Sequence, residues 1–548
     1  MSRARSPLPI LMASGLLLLL LVFFLVTRRL QETTVTEPLV STPEATSSLT
    51  AFPDNDSSSD ENLAQAGNVT ALAEKLSTRL THPATRAHEA VLIFKTADGY
   101  RRFLARATEA GVIIVAQIDP LNIVRVRIRA YDSFAAELVA RAADYGGVGA
   151  NTFVQIPPAP EERVTGRQFA VGNALLTTLG VPTGTDTSTW GRGITIAVLD
   201  GGAVPDPTLG ARLRYLDIGL GYSGTGAAGT HGTAVAALAA GSLADAPGVA
   251  PAANVLSIRV IDTDDRSDVF TVTQGIVAAV DAGAQIINLS LGGYSTSQAL
   301  DRAIAYAIAK GAIVIAAAGN DGASRLTWPA ADPRVISVGA TDATGRQASF
   351  SNSGNQLHLT APGVGLQTAG LANERLLFSG TSASSPVVAG ALAVLMSQTP
   401  GLTGAQAAQI LQTHADDGGP AGIDADYGHG TMNLGWALAR NDVNRVDLAV
   451  SGHHYNPDTA SLEVVVQNRS LRDMPLNQLG VTLNNRPTAL YNPGLLRAGQ
   501  SATIAIPIDA ATAAAPINLT SSLVVPSGVI DAVPANNTRA SVIDLAGQ

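Results

Sequence analysis

Gly380-Thr381-Ser382-Ala383-Ser384-Ser385-Pro386 opens the apolar run from Val387 to Met396. A Gly-Thr-Ser turn that feeds directly into a helix leaves Ser382 at or beside the helix N-terminus, where unpaired backbone N–H groups and the helix dipole favour a developing negative charge. The stretch alone allows two readings: a nucleophilic serine, or a serine that caps a buried Ala-rich helix. Two upstream stretches decide between them. Ile194-Thr195-Ile196-Ala197-Val198-Leu199 is a continuous apolar strand that stops at Asp200-Gly201-Gly202, so a carboxylate stands at a strand's carboxyl end, where open α/β sheets carry their sites. Gly229-Thr230-His231-Gly232-Thr233 follows and is expected to precede a small-residue helix from Ala234 to Ala240. Around these stretches, apolar strands at 194–199, 255–261, 286–291, 313–317 and 335–338 alternate with helical patterns at 268–282, 297–310 and 384–397. Such alternation predicts a doubly wound α/β domain whose parallel sheet is covered on both faces.

A serine hydroxyl is a poor nucleophile at its own pKa and needs a base, for which histidine suits a neutral medium and a carboxylate holds the second ring nitrogen. Asp200, His231 and Ser382 occur in the chain order of the subtilisin-like serine proteases, which this sequence resembles from roughly Gly166 to Arg440. Ile287 to Gly293 is similar to that family's substrate-binding strand, and Ala316-Ala317-Ala318-Gly319-Asn320 to its oxyanion-hole stretch. Ser349 to Gly354, Ala361-Pro362-Gly363 and Asp426 to Gly430 also fall in family order. The resemblance implies a serine endopeptidase with Ser382 as nucleophile, His231 as base and Asp200 as its orienting carboxylate. It implies that the Asn320 side chain and the Ser382 N–H bind the oxyanion, and that Ser290, Leu291, Gly292 and Gly293 pair with an extended protein or peptide substrate. Trp328 falls where the family has an aromatic near its primary specificity pocket, and equally fits a core position. The chemistry requires no cofactor, and no residue is assigned to a metal.

Two departures stand out. Gly201 replaces the Ser, Thr or Asp whose side chain supports the catalytic carboxylate, and the loop Gly241 to Gly248 is shorter than the one that wraps calcium in many subtilisins. Asp262, Asp264, Asp265 and Asp268 cluster in another loop, either as a site for calcium as a structural ion or as a solvated acidic turn. Gly201 also keeps an alternative open: a catalytically weak or inactive surface adhesion protein on the same fold.

The formal net charge of −9 argues against a nucleic-acid partner, and the absence of cysteine excludes disulfides, thiol catalysis and thiolate metal sites. Ile10 to Val26 is an almost unbroken apolar run ending at Arg28-Arg29 without a small-x-small cleavage site, which reads as an uncleaved anchor in the membrane. The expected location is therefore the cell membrane, single-pass, with the catalytic region extracytoplasmic; a cleaved signal and a secreted protein are the alternative. The expected organisation is an anchor or signal at 1–30, a disordered Ser/Thr/Pro-rich stalk at 31–88, a small α+β domain at 89–157, a processing linker at 158–168, the catalytic domain at 169–440 and an all-β sandwich at 445–545. The small α+β domain at 89–157 resembles the ferredoxin-like subtilase prodomain, which implies an intramolecular inhibitor released by self-cleavage. The last, with Val533 to Thr538 near its end, is similar to bacterial cell-adhesion-related domains.

Overall fold

The computed structural model describes residues 60–61, 69–157, 168–222, 224–484, 486–509, 512 and 516–543. The expected membrane segment, Ile10 to Val26, lies outside them; among the described residues no helix is long and apolar enough to cross a membrane.

The central body is a nine-stranded sheet. From one edge its strands are Ala415–Asp416, Thr431–Met432, Leu359–Pro362, Ile336–Thr341, Ile313–Ala317, Ile286–Leu289, Thr195–Asp200, Asn254–Arg259 and Leu213–Leu216, paired in parallel except at the Ala415–Asp416 edge. The period-two geometry of a strand explains why the central segments are apolar throughout. Ile196 and Val198 enter one core with helices Gly226–Ala240 and Thr381–Gln398, while Ala197 and Leu199 enter the other with helices Val269–Asp281 and Gln298–Ala309. Helices therefore cover both faces. The strands at 213–216, 359–362 and 431–432 are additional to those read from the sequence, each too short to make an apolar run of its own.

The N-terminal unit places strands Thr85–Phe94, Val112–Ile118, Ile123–Ile128 and Tyr145–Val154 antiparallel in the spatial order 145–154, 85–94, 123–128, 112–118. Helices Ala97–Arg106 and Tyr131–Ala140 complete a strand-helix-strand-strand-helix-strand order, and the expected disordered stalk ends earlier than residue 88, because helix Val69–Arg79 precedes the first strand and Leu76 and Leu80 enter the unit's core. Alternation divides its first strand between two cores: Ala90, Leu92 and Phe94 close the unit's own core, whereas Val91 and Ile93 join the core of the central body around Val269–Asp281 and Gln298–Ala309.

Beyond Arg440, strands Leu448–Asn456, Ser461–Asn468 and Ser501–Pro507 form one antiparallel sheet, and Leu479–Leu483, Ala489–Tyr491, Ile517–Leu523 and Thr538–Ile543 form another, closed over a shared apolar core. Along Ile517–Leu523 the alternate residues Ile517, Leu519, Ser521 and Leu523 are the buried ones.

Candidate active site

Three sheet ends and one helix start converge. Asp200 ends its strand fully buried, and both of its carboxylate oxygens approach His231 Nδ1, at 2.8 and 3.0 Å. That contact commits Nδ1 and leaves Nε2 as the ring nitrogen able to take up a proton. The imidazole also packs edge-to-face on Phe378, four residues ahead of Ser382.

His231 does not precede its helix, as the sequence suggested, but lies within Gly226–Ala240. The glycines that read as a break serve close approach instead: a Cβ added to Gly232 would stand 3.0 Å from the Gly202 backbone nitrogen. Gly201 is explained in the same way. Its N–H donates to Asp200 Oδ1 at 2.7 Å, and a Cβ there would fall 2.2 Å from the Ala228 carbonyl oxygen. The backbone thus supports the carboxylate at a place where a Ser, Thr or Asp side chain does not fit, which removes the argument that Gly201 marks a decayed site.

Ser382 is the second residue of its helix and 2% exposed. Pro386 sits one turn later and has no N–H for the Ser382 carbonyl; that carbonyl accepts the Ser290 hydroxyl at 3.1 Å. Ser290 Oγ in turn accepts Asn288 Nδ2 at 3.0 Å, and Asn288 Oδ1 accepts Ser385 Oγ at 2.5 Å. This buried polar chain ties the start of the Ser382 helix to the strand at 286–289 and to the segment after it. Asn288 and Ser385 were not singled out in the sequence, although a lone Asn in the otherwise apolar 286–289 strand is such a signal. The Ser382 hydroxyl donates to the Ser290 carbonyl at 3.3 Å.

Asn320 faces the same helix start. Its Oδ1 accepts both the Thr381 N–H, at 2.9 Å, and the Thr381 hydroxyl, at 2.8 Å. With the oxygen so held, the amide nitrogen points the other way, and a Cβ on Gly380 would stand 3.0 Å from it. Two N–H donors are thus presented beside the serine, and Thr381 is the positioning residue that the sequence reading missed.

Ser290 and Leu291 are fully buried, while the two glycines after them make backbone ladders. Gly292 exchanges both hydrogen bonds with Gln155 of the N-terminal unit, at 3.0 and 3.2 Å, and Gly293 does so with Trp328, at 2.7 and 3.0 Å. On the other side of the Gln155 segment, Ser267 and Asp268 pair with Val154 and Phe153. The tail of the N-terminal unit is therefore a middle strand in the cleft.

The acidic loop holds an arginine. Arg86 reaches Asp262 Oδ2 at 2.5 Å and also Asp268, whose other oxygen caps the helix at Thr271 N. Asp262 and Asp268 are thus held by an arginine, whereas Asp264 and Asp265 stay exposed as a solvated turn; among the described residues no group of three or more metal-ligating side chains converges.

A family model, the subtilase family, matches residues 191–430, which contain all of these central-body groups. Subtilisin BL of Lederbergia lenta is 35% identical over 245 residues, 44% of this chain and 90% of that protein. The chain belongs to the subtilase family. The thermophilic serine proteinase of Bacillus sp. strain AK1 is 39% identical over 201 residues, 36% of this chain and 50% of that protein. A solved protease domain of PatA, a serine-to-alanine mutant, matches with 30% identity and a TM-score of 0.43, covering 46% of this chain and 96% of that one. The subtilase match stops before the C-terminal sandwich.

Proposed function

We propose that this subtilase is an endopeptidase in which Asp200, His231 and Ser382 form the triad and Asn320 is the side-chain oxyanion donor. In this reading His231 Nε2 takes the Ser382 proton as Oγ adds to the substrate carbonyl, and Asp200 stabilises the imidazolium. The Asn320 amide and the Ser382 N–H bind the oxygen that becomes negative. Collapse breaks the C–N bond as Nε2 returns the proton to the leaving amine; water then enters by the same route and releases Ser382. The observation that carries the proposal is the grip of both Asp200 oxygens on His231 Nδ1, which sets the tautomer this chemistry needs. A fluorophosphonate probe tests it: the folded protein should be labelled and Ser382→Ala should not. No labelling of mature, folded protein would overturn the reading.

The N-terminal unit is further proposed as an intramolecular inhibitor, supported by the seat of its tail beside Gly292, with self-cleavage in the linker at 158–168. Ser382→Ala should accumulate uncut, and cleavage in the unmodified chain should be independent of its concentration; maturation of Ser382→Ala in a host lacking linker-cutting proteases would refute this. The 10–26 run supports a membrane anchor, and the acidic, base-poor 31–61 segment after it supports an extracytoplasmic catalytic region. In spheroplasts, added protease should then reach the 31–61 segment, and complete protection would count against it.

A further inference from the structure

The register of the tail in the cleft identifies a particular peptide bond. Gln155 and Gly292 exchange both backbone hydrogen bonds, so they form a hydrogen-bonded pair of an antiparallel ladder. The next such pair along the same register lies two residues on, which sets Pro157 opposite Ser290. At that place the ladder requires an N–H from the tail to the Ser290 carbonyl. Pro157 has none, and the Ser290 carbonyl accepts the Ser382 hydroxyl instead. The nucleophile is thus hydrogen-bonded to the acceptor that an ordinary substrate residue would occupy. The residue after Pro157 is Pro158, so the leaving nitrogen of the bond brought to Ser382 is itself a proline nitrogen. Its ring carbon stands where an amide hydrogen would be, on the atom that His231 must protonate.

We infer that the seated tail is proline-locked: the Pro157 carbonyl is the one presented to the nucleophile, and its bond to the proline that follows it in the sequence is not hydrolysed there, so the N-terminal unit occupies its own cleft as an uncut inhibitor. The inference rests on the peptidase reading above. Sequence extends the lock. Sliding the tail without turning its side chains to the other face proceeds in steps of two residues. One step brings Ala159–Pro160, again with a proline nitrogen; a second brings Glu161–Glu162, which has an ordinary amide hydrogen. Maturation therefore requires the tail to leave its seat first, and the mature chain begins at Glu162 or later.

The test is N-terminal mapping by mass spectrometry of the full-length chain, of a Pro157→Ala, Pro158→Ala double variant and of Ser382→Ala, each also treated with a fluorophosphonate. The unmodified chain should be labelled and its mature fragment should begin at or after Glu162. The double variant should be labelled and should shift to a product beginning at residue 158. A fragment of the unmodified chain beginning between Pro158 and Glu161 overturns the lock, as does a labelled double variant with no product beginning at residue 158. Absence of labelling in the unmodified chain, or cleavage that persists in Ser382→Ala, overturns the peptidase or self-processing reading, and the inference falls with it. The unmodified chain supplies its own answer even if the double variant does not fold.

Discussion

The N-terminal unit and the C-terminal sandwich both meet the central body through arginines, but the arginines are solvated to different degrees. Arg86 keeps 22% of its side chain exposed while it binds Asp262 and Asp268, and Arg302 reaches across to the Phe94 and Leu121 carbonyls at 3.0 and 3.3 Å. Most of that junction is otherwise a strand tail lying in a cleft and a shared apolar face. At the sandwich, Arg469 is 4% exposed and binds Asp416 at 2.7 Å, next to the Trp436 ring. Gln467 and Arg539 donate from the sandwich to the Ala415 and Thr344 carbonyls. A solvated ion pair exchanges readily with water and is worth little, whereas a buried one is costly to open because it strands a charge. Each junction buries one partner of its ion pair, Asp268 at the first and Arg469 at the second; the first is the easier to perturb, because Arg125 Nη1 also stands 3.6 Å from Asp268 and remains when Arg86 is removed.

The strongest perturbation should separate chemistry from both junctions. Asn320→Ala is expected to lower turnover by about 10² to 10³ with little change in KM, a magnitude the handling of oxyanion donors in subtilisin itself established. Both junctions should survive it, as limited proteolysis would report. Unchanged turnover would remove Asn320 from the site.

Arg469→Ala should be next. It leaves Asp416, whose carboxyl burial holds above the usual carboxylate range, without its cation. Because the Asp416 side chain is 28% exposed, the expected loss is about 3 kcal/mol, the low end for a broken buried pair. Chemical denaturation read by near-UV signals would measure it; a loss below 1 kcal/mol would mean that the two junctions do not differ as described.

Arg86→Ala should cost less, about 1 to 2 kcal/mol, because Arg125 still faces the buried Asp268 carboxylate at 3.6 Å, and its effect should appear as earlier release of the N-terminal unit. Activity during maturation should rise sooner while the melting of the mature fragment stays unchanged. A delayed onset of activity would contradict this account of the junction.

The smallest effect near neutrality concerns the sandwich alone. His453 lies between its sheets, bonded to Ser541 Oγ at 2.9 Å and Ser521 Oγ at 3.0 Å, and burial, with Arg539 nearby, pushes its pKa down to about 3. The unfolded chain therefore binds a proton that the folded one refuses. Stability is complete above the unfolded value of about 6.5 and falls between that pH and about 3, by at most about 1.4 kcal/mol per pH unit. His453→Asn should flatten the profile, and an unaltered acid limb would assign the loss to other groups.

Much of this protein could be read from residue order. Continuous apolar runs ending in Asp200 and in Ala317, three residues before Asn320, together with the order Asp200, His231, Ser382, establish a parallel sheet with a serine-protease constellation at its strand ends, because period, run length and terminal residue are local properties. The alternating strands after Arg440 were legible for the same reason. What the sequence could not convey depends on groups that meet only in space. Gly201 reads as a missing support until the Ala228 carbonyl is seen in the place of its absent side chain. Thr381 reads as a helix flank until it grips Asn320 Oδ1. The acidic loop reads as a cation site or a solvated turn until Arg86, 176 residues away from Asp262, enters it. Pro157 reads as no more than the end of the small α+β domain until the pairing of Gln155 with Gly292 sets it opposite Ser290. Each is a non-local contact, and chain order carries no distance between residues that far apart; only the packed sheet and its docked tail supply it.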